Sequence, residues 1–184
     1  MSGLLVQQWI SVDGFLAGVN GEADVFAAVS DFTASETHNA ALLGDIDEVL
    51  LGRRTYESFA AYWPTADDEP MARQVNALPK VVCSTTLMAA TWGGHAPARV
   101  VPDPVDHVRS RRDAGSRIIL WGSVSVMRAL LAAGEVDELE LLVAPVALGA
   151  GTPLLAPGAA PLPLSLTESQ IWPGGVVRLR YSVG

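Results

Sequence analysis

Two stretches constrain the fold of this chain more than any others: Val49-Leu50-Leu51-Gly52-Arg53-Arg54-Thr55-Tyr56-Glu57-Ser58 and Ile118-Ile119-Leu120-Trp121-Gly122-Ser123-Val124-Ser125. Each passes from large apolar residues through a glycine into a polar segment able to start a helix. A short apolar run bounded in this way reads as a buried strand, a tight turn and a helix N-terminus, the repeating unit of an α/β sheet. The turn glycine lets backbone N–H groups approach a ligand, and the helix start offers unpaired donors with a partial positive charge. Both features suit phosphate. The first stretch adds the guanidinium groups of Arg53 and Arg54, whose planar forks can grip phosphate bidentately. One such turn is ordinary in α/β proteins. Two of them, one carrying paired arginines, point to a phosphate-rich ligand such as a dinucleotide.

The rest of the chain supplies the sheet that these turns need. Residues 4–12 read as a first buried strand, followed by a turn-rich loop with Asp13 at its mouth. A helix is expected over 24–43, with a break near 33–35. Strands follow at 48–51, 80–84, 99–101 and 118–121, alternating with helices at 53–62, 71–78, 104–114 and 124–133. Proline sets the start of the helix at Pro104, while Trp63-Pro64, Pro79, Gly115 and Gly134 supply stops. The chain between 85 and 98 reads as a connection. Beyond residue 138 the pattern changes to three strands, at 139–146, 162–172 and 176–181, the last two forming a hairpin across Pro173-Gly174-Gly175. An α/β front half with a β-rich tail predicts a mixed sheet, parallel in the middle and antiparallel at one edge.

At 184 residues, 49% of them hydrophobic, the chain has the size and composition of one globular domain, spanning 1–184. A net charge of −8 argues against nucleic acid or an anionic membrane as partner, and it gives the adjacent Arg53 and Arg54 more weight. Cys83 is the single cysteine, and His38, His95 and His107 do not fall at metal-ligand spacing, so no metal site is expected. With no signal-like leader and no long apolar run, a soluble cytoplasmic protein is expected.

Candidate site residues follow from where the strands end. Gly52, Arg53, Arg54 and Thr55 either meet a pyrophosphate and a ribose 2′-phosphate or form an ordinary helix start. Gly122, Ser123, Val124 and Ser125 offer a second phosphate cradle, with Ser123 as a plain N-cap as the alternative. Ser84 and Thr85 lie at a strand's carboxyl end, where α/β sheets bind ligands, or they cap a turn. Asp13 orients a substrate or relays a proton, unless Asp13-Gly14 is only a turn pair. Trp9 and Trp121 belong to the core or wall a pocket for a flat ring. The arginines at 109, 111 and 112 read as a solvated helix face. Gly-x-Gly-x-x-Gly and a P-loop lysine are missing from these turns, so neither a Rossmann fingerprint nor an NTPase fits, and the lack of a Gly-x-Ser-x-Gly elbow argues against a hydrolase.

Five motifs, in order, carry a family resemblance. They are Ser11-Val12-Asp13-Gly14, Leu51-Gly52-Arg53-Arg54-Thr55-Tyr56-Glu57-Ser58, Lys80-Val81-Val82-Cys83-Ser84-Thr85-Thr86-Leu87, Trp121-Gly122-Ser123 and Gly134-Glu135-Val136-Asp137-Glu138-Leu139, the last leading to Ala144-Pro145-Val146-Ala147-Leu148-Gly149. Together they resemble the dihydrofolate reductase-like family that includes the reductase domain of bifunctional riboflavin-biosynthesis deaminase/reductases, in its stand-alone bacterial form. The resemblance implies a three-layer α/β/α fold with a mixed, mostly parallel sheet, an NADPH cofactor and a homodimer. It also implies hydride transfer to a small heterocyclic or carbonyl substrate, pterin-like or pyrimidine-like compounds included and dihydrofolate not favoured. By position, Gly52 to Thr55 would meet the cofactor phosphates with Arg53 or Arg54 near the 2′-phosphate, and Ser84 and Thr85 would flank the adenosine. Gly122, Ser123 and the helix start at Val124 and Ser125 would take the pyrophosphate. Trp9 and Ile10 would back the nicotinamide, with Trp121 nearby and Asp13 at the substrate end. The competing expectation is a catalytically silent nucleotide-binding or assembly protein on the same fold.

Overall fold

The computed structural model, which describes residues 2–184, shows eleven strands, and the apolar runs among them become central strands covered on both faces. In chain order the elements are β1 (Gly3–Ser11), β2 (Phe15–Ala17), α1 (Ala23–Phe26), α2 (Thr33–Leu43), β3 (Glu48–Gly52), α3 (Arg53–Tyr62), α4 (Ala72–Ala77), β4 (Lys80–Cys83), β5 (Ala90–Trp92), β6 (His95–Val101), α5 (Pro104–Asp113), β7 (Arg117–Trp121), α6 (Val124–Ala132), β8 (Glu138–Ala144), β9 (Thr152–Pro153), β10 (Leu164–Ile171) and β11 (Val177–Val183). They divide into two compact units: the chain up to Val6 with Glu36–Val136, and Gln7–Ser35 with Asp137–Gly184. β1 and α2 run through both.

In the first unit the strand order is β1-β7-β3-β4-β6-β5. β3 is parallel to β7 and to β4, with Leu50 opposite Leu120 and Gly52 opposite Cys83, and β4 is parallel to β6. All five residues of β3 and all four of β4 are buried, as strands covered on both faces must be. This register brings the carboxyl ends of β3, β4 and β7 to one edge of the sheet. The core groups Leu51, Val82 and Ile119 with Trp92 and Trp121, which packs edge-on against Phe59. Helix α5 starts where Asp103 accepts hydrogen bonds from the Val105 and Asp106 N–H groups, with Pro104 at its first position.

The second unit is antiparallel. β8 pairs with β11 and β11 with β10, in the order β10-β11-β8-β1, and β2 pairs with β9. Val25, Val29, Leu142, Ala144 and Val176 form its core, with Trp9, Phe32 and Trp172 packed against them. One face of the β8–β11 ladder holds a charged network. Glu140, fully buried, accepts from Arg178 at 2.8 Å and from Gln7 at 2.7 Å, and Arg178 also reaches Glu168 at 2.8 Å.

The mixed sheet, parallel at its centre with an antiparallel carboxyl-terminal part, is the architecture expected from the pattern. Three local expectations are refined. The break expected near 33–35 in the helix over 24–43 is there but falls earlier, over 27–32, because the Asp31 carboxylate accepts from the Thr33 N–H and starts α2 at Thr33. The connection at 85–98 contains β5, paired with β6, and the loop after β1 contains β2. The arginines of α5 are a solvated face, as expected, with Arg109 55% exposed, but they are also paired. Arg109 and Arg112 both donate to Glu135 at the turn after α6, and Arg111 faces Glu48 at 3.6 Å.

Candidate functional site

The two strand–glycine–helix turns lie side by side at the carboxyl edge of the first unit's sheet, and each glycine is needed by the other turn. A Cβ at Gly52 would lie 1.8 Å from Ser123 Oγ and 2.7 Å from Ser123 Cβ. A Cβ at Gly122 would lie 2.8 Å from Thr55 Oγ1, and Gly122 also has φ +60°, which favours glycine. Gly52 itself has φ −85°, open to any residue, so at that position contact alone excludes a side chain. The two turns interlock.

Interlocking brings two helix N-termini together, α3 beginning at Arg53 and α6 at Val124. Neither has a side-chain cap: Gly52 has none to offer, and Ser123 makes no capping hydrogen bond. Ser123 adopts φ 56°, ψ 72°, the one described non-glycine residue at positive φ. The plain N-cap alternative for Ser123 is therefore not what the chain adopts. A left-handed serine costs roughly 1–2 kcal/mol, and residues held this way gather at ligand sites. What these turns can do chemically is present N–H donors and positive dipole ends to an anion.

Around this centre, Arg53 is exposed yet oriented. Its Nε donates to Glu57 Oε1 at 2.7 Å and its Nη1 to Thr86 Oγ1 at 3.0 Å, which spans from α3 to the turn after β4. Arg54 is exposed on the neighbouring position of the helix. Ser84 Oγ accepts from the Thr86 and Leu87 N–H groups, so the turn-capping alternative holds for its lone pairs while its O–H can still donate. A cleft of about 280 Å³ opens here, lined by Ser84 and Thr85, by Pro102 and Pro104 after β6, and by Ser125 and Val126 of α6. That is the small end of ligand pockets. Glu57, Thr86 and the two prolines were not candidate site residues in the sequence. The i,i+4 spacing of Arg53 and Glu57 was the available signal for the first. Cys83 lines the same cleft, but burial pushes its thiol up to about 12, which makes it inert.

The other expected residues behave differently. Trp121 is buried against Phe59 and belongs to the core, one of its two stated alternatives. Trp9 and Ile10 are successive strand residues and point to opposite faces, so only one of the two side chains can face any one ligand. Trp9 meets Phe26 and Phe32 edge-on at 5.7 and 5.5 Å in the second unit's aromatic cluster.

Asp13 is exposed, but its carboxylate is taken up by the protein. Oδ1 accepts from Ser11 Oγ at 2.6 Å and from the Leu148 N–H at 3.0 Å, and Oδ2 accepts from the Gly149 N–H at 2.7 Å. The Ser11 hydroxyl and then these two amides hold its pKa at about 2. Neighbouring bonds continue the seam, from the Val12 N–H to Val146 O and from the Leu154 N–H to Gly14 O. Asp13 thus ties the loop after β1 to the segment after β8. A carboxylate held ionised by three donors is a poor proton relay at neutral pH.

The interlocked turns can be set beside known proteins. Over 176 residues the chain is 26% identical to the uncharacterised protein YyaP of Bacillus subtilis, covering 94% of this chain and 90% of that one. A putative riboflavin biosynthesis protein from Shewanella shares the fold at a TM-score of 0.79 and 22% identity, covering 99% of both chains. Dihydrofolate reductase from Enterococcus faecalis, solved with NADP(H), shares it at a TM-score of 0.64 and 12% identity, covering 99% of this chain and 96% of that one. Among the described residues no helix is long and apolar enough to cross a membrane. Residues 4–177 match the model of the RibD C-terminal domain, and the chain belongs to that reductase-type family.

Proposed function

We propose that the protein is an NADPH-dependent reductase acting on a small heterocyclic or carbonyl compound. The observation that carries this is the pair of uncapped helix N-termini locked together by Gly52 and Gly122, which suits a diphosphate lying across both. In this reading Thr55, Ser123 and the N–H groups at the starts of α3 and α6 hold the pyrophosphate. The adenosine occupies the cleft between Ser84, Thr85, Pro102 and Ser125. Arg53, already oriented by Glu57 and Thr86, reads the ribose 2′-phosphate, and Arg54 contributes general positive charge. When bound, NADPH supplies the hydride. The chain's own part is to fix the cofactor and exclude alternative poses. Asp13 acts through the loop that it ties down rather than as a proton carrier. That loop and the segment after β8 are thereby held to each other.

The test is turnover. Purified protein with NADPH and a panel of carbonyl, pterin-like and pyrimidine-like compounds should oxidise the cofactor with at least one of them, above the rate without substrate. Cofactor binding with no turnover across the panel would favour the silent nucleotide-binding alternative.

A further inference from the structure

The chain fills most of its own anion seats with carboxylates. A helix start, or two neighbouring amides that point together, is where the phosphate or carboxylate of a ligand can dock. At α5 the Asp103 carboxylate accepts from the Val105 and Asp106 N–H groups. At α2 Asp31 accepts from the Thr33 N–H, and Glu36 stands in the first turn. The Leu148 and Gly149 amides, a pair able to cradle an anion, both donate to Asp13. Among the longer helices, α2, α3, α5 and α6, only α3 and α6 start with neither a capping side chain nor an acidic residue in the first turn.

The cations are committed in the same way. In the second unit the lysines and arginines are Arg178 and Arg180 alone, 2% and 8% exposed, and both are paired with glutamates of the ladder. In the first unit Lys80 and Arg117 open β4 and β7, at the amino edge of the sheet. Lys80 donates to the Asn76 and Leu78 carbonyls, and Arg117 faces Asp45 at 3.7 Å. Glu48, at the start of β3, faces Arg111 and accepts from His107 at 2.5 Å, and His107 in turn accepts from Arg99. Arg109 and Arg112 share Glu135, and Arg128 is not free either. Arg73 is exposed on α4, where a single solvated guanidinium contributes little to holding an anion. The carboxyl edge, at which α/β sheets bind ligands, is left with Arg53 and Arg54.

In the proposed binding mode one NADPH takes all of these, its diphosphate the two open helix starts and its 2′-phosphate the arginines. We infer that the substrate itself carries neither a phosphate nor a carboxylate, an inference that rests on the reductase reading. An anionic substrate would approach a chain of net charge −8 whose remaining anion seats are filled from within. The substrate class narrows to heterocycles and carbonyl compounds without an anionic group.

Two experiments on the full chain test this. The first follows NADPH oxidation with matched pairs: glyceraldehyde and its phosphate ester, an aminopyrimidine ribonucleoside and its phosphate ester, dihydropterin and dihydrofolate. The member without the anionic group should have kcat/KM higher by about 10-fold or more, since an anion desolvated without a partner loses at least that much. An anionic member turned over as fast as its partner, or faster, would overturn the inference, whereas turnover of no pair would count against the reductase reading. The second needs no turnover: amide NMR of the chain titrated with inorganic phosphate at constant ionic strength. Shifts should be confined to residues 52–56 and 122–126. Another set of shifted amides that persists with NADPH bound would overturn the inference. No shift at either turn would remove the cofactor's seat and count against the reductase reading alone.

Discussion

The contact between Gly52 and Ser123 can be measured by a double-mutant cycle, because the two positions fail for different reasons. Gly52→Ala introduces no backbone strain at φ −85°, and by reducing unfolded-state freedom alone it would stabilise by about 0.4–1 kcal/mol. Its Cβ, however, would stand 2.7 Å from Ser123 Cβ, an atom fixed to backbone that is already left-handed. Overpacking of that kind costs about 1–3 kcal/mol, so the net loss should be about 1–2 kcal/mol. Ser123→Gly removes the obstructing atoms and the roughly 1–2 kcal/mol of left-handed strain, against about 0.5–1 kcal/mol of added chain entropy, and should be neutral to stabilising by about 1 kcal/mol. In that background Gly52→Ala should become neutral to stabilising. The cycle then has a coupling energy of about 1–3 kcal/mol, well above the few tenths seen for independent sites. Urea unfolding of the four proteins reads it directly, provided their m-values agree. Strict additivity would refute the claim that the two turns interlock through these positions.

Three other perturbations follow from the geometry. Asp13→Asn should speed hydrogen exchange of the Leu148 and Gly149 amides without unfolding the chain. Since Asp13 titrates near 2 against an ordinary value of 3.8, its contribution is present above pH 4 and is lost as pH falls through about 2, which acid titration of those amides would show. Burial lowers Lys80 to about 8, where its ammonium donates to the Asn76 and Leu78 carbonyls and lies 4.7 Å over the Trp92 ring. The unfolded chain then holds the extra proton between pH 8 and 10.5, so wild-type stability should rise with pH across that window relative to Lys80→Met, as paired thermal melts would record. Glu140→Ala leaves Arg178 buried without its main partner and should cost about 3–5 kcal/mol, part of which Glu140→Ala with Arg178→Met should restore in denaturant titration.

The parallel core was legible because its strands are short apolar runs with unambiguous stops. The helix expected at 53–62 is α3, residue for residue, bounded by Gly52 and Trp63-Pro64. The pair of glycine turns was legible too, but not the reason for the glycines, since Gly52 is excluded from bearing a side chain by a residue 71 positions away. The same distance problem hid the part played by Asp13, whose amide partners lie 135 and 136 residues further on. β5 escaped notice because Ala90-Thr91-Trp92 is too short to show alternation and sits among glycines and prolines. The pairing of the solvated α5 arginines was hidden because Glu135 is not on that helix. Local chemistry marked the elements, while long-range pairing decided what their polar groups do.

The most direct test of the central claim is calorimetric titration of the wild type, Arg53→Ala and Arg54→Ala with NADPH and with NADH. The account predicts micromolar NADPH binding, NADH weaker by about 10-fold or more, and a preference that Arg53→Ala erases through loss of about 1.5–3 kcal/mol from NADPH alone. Arg54→Ala should weaken both cofactors slightly. Equal affinity for the two cofactors, or binding of neither, would contradict it.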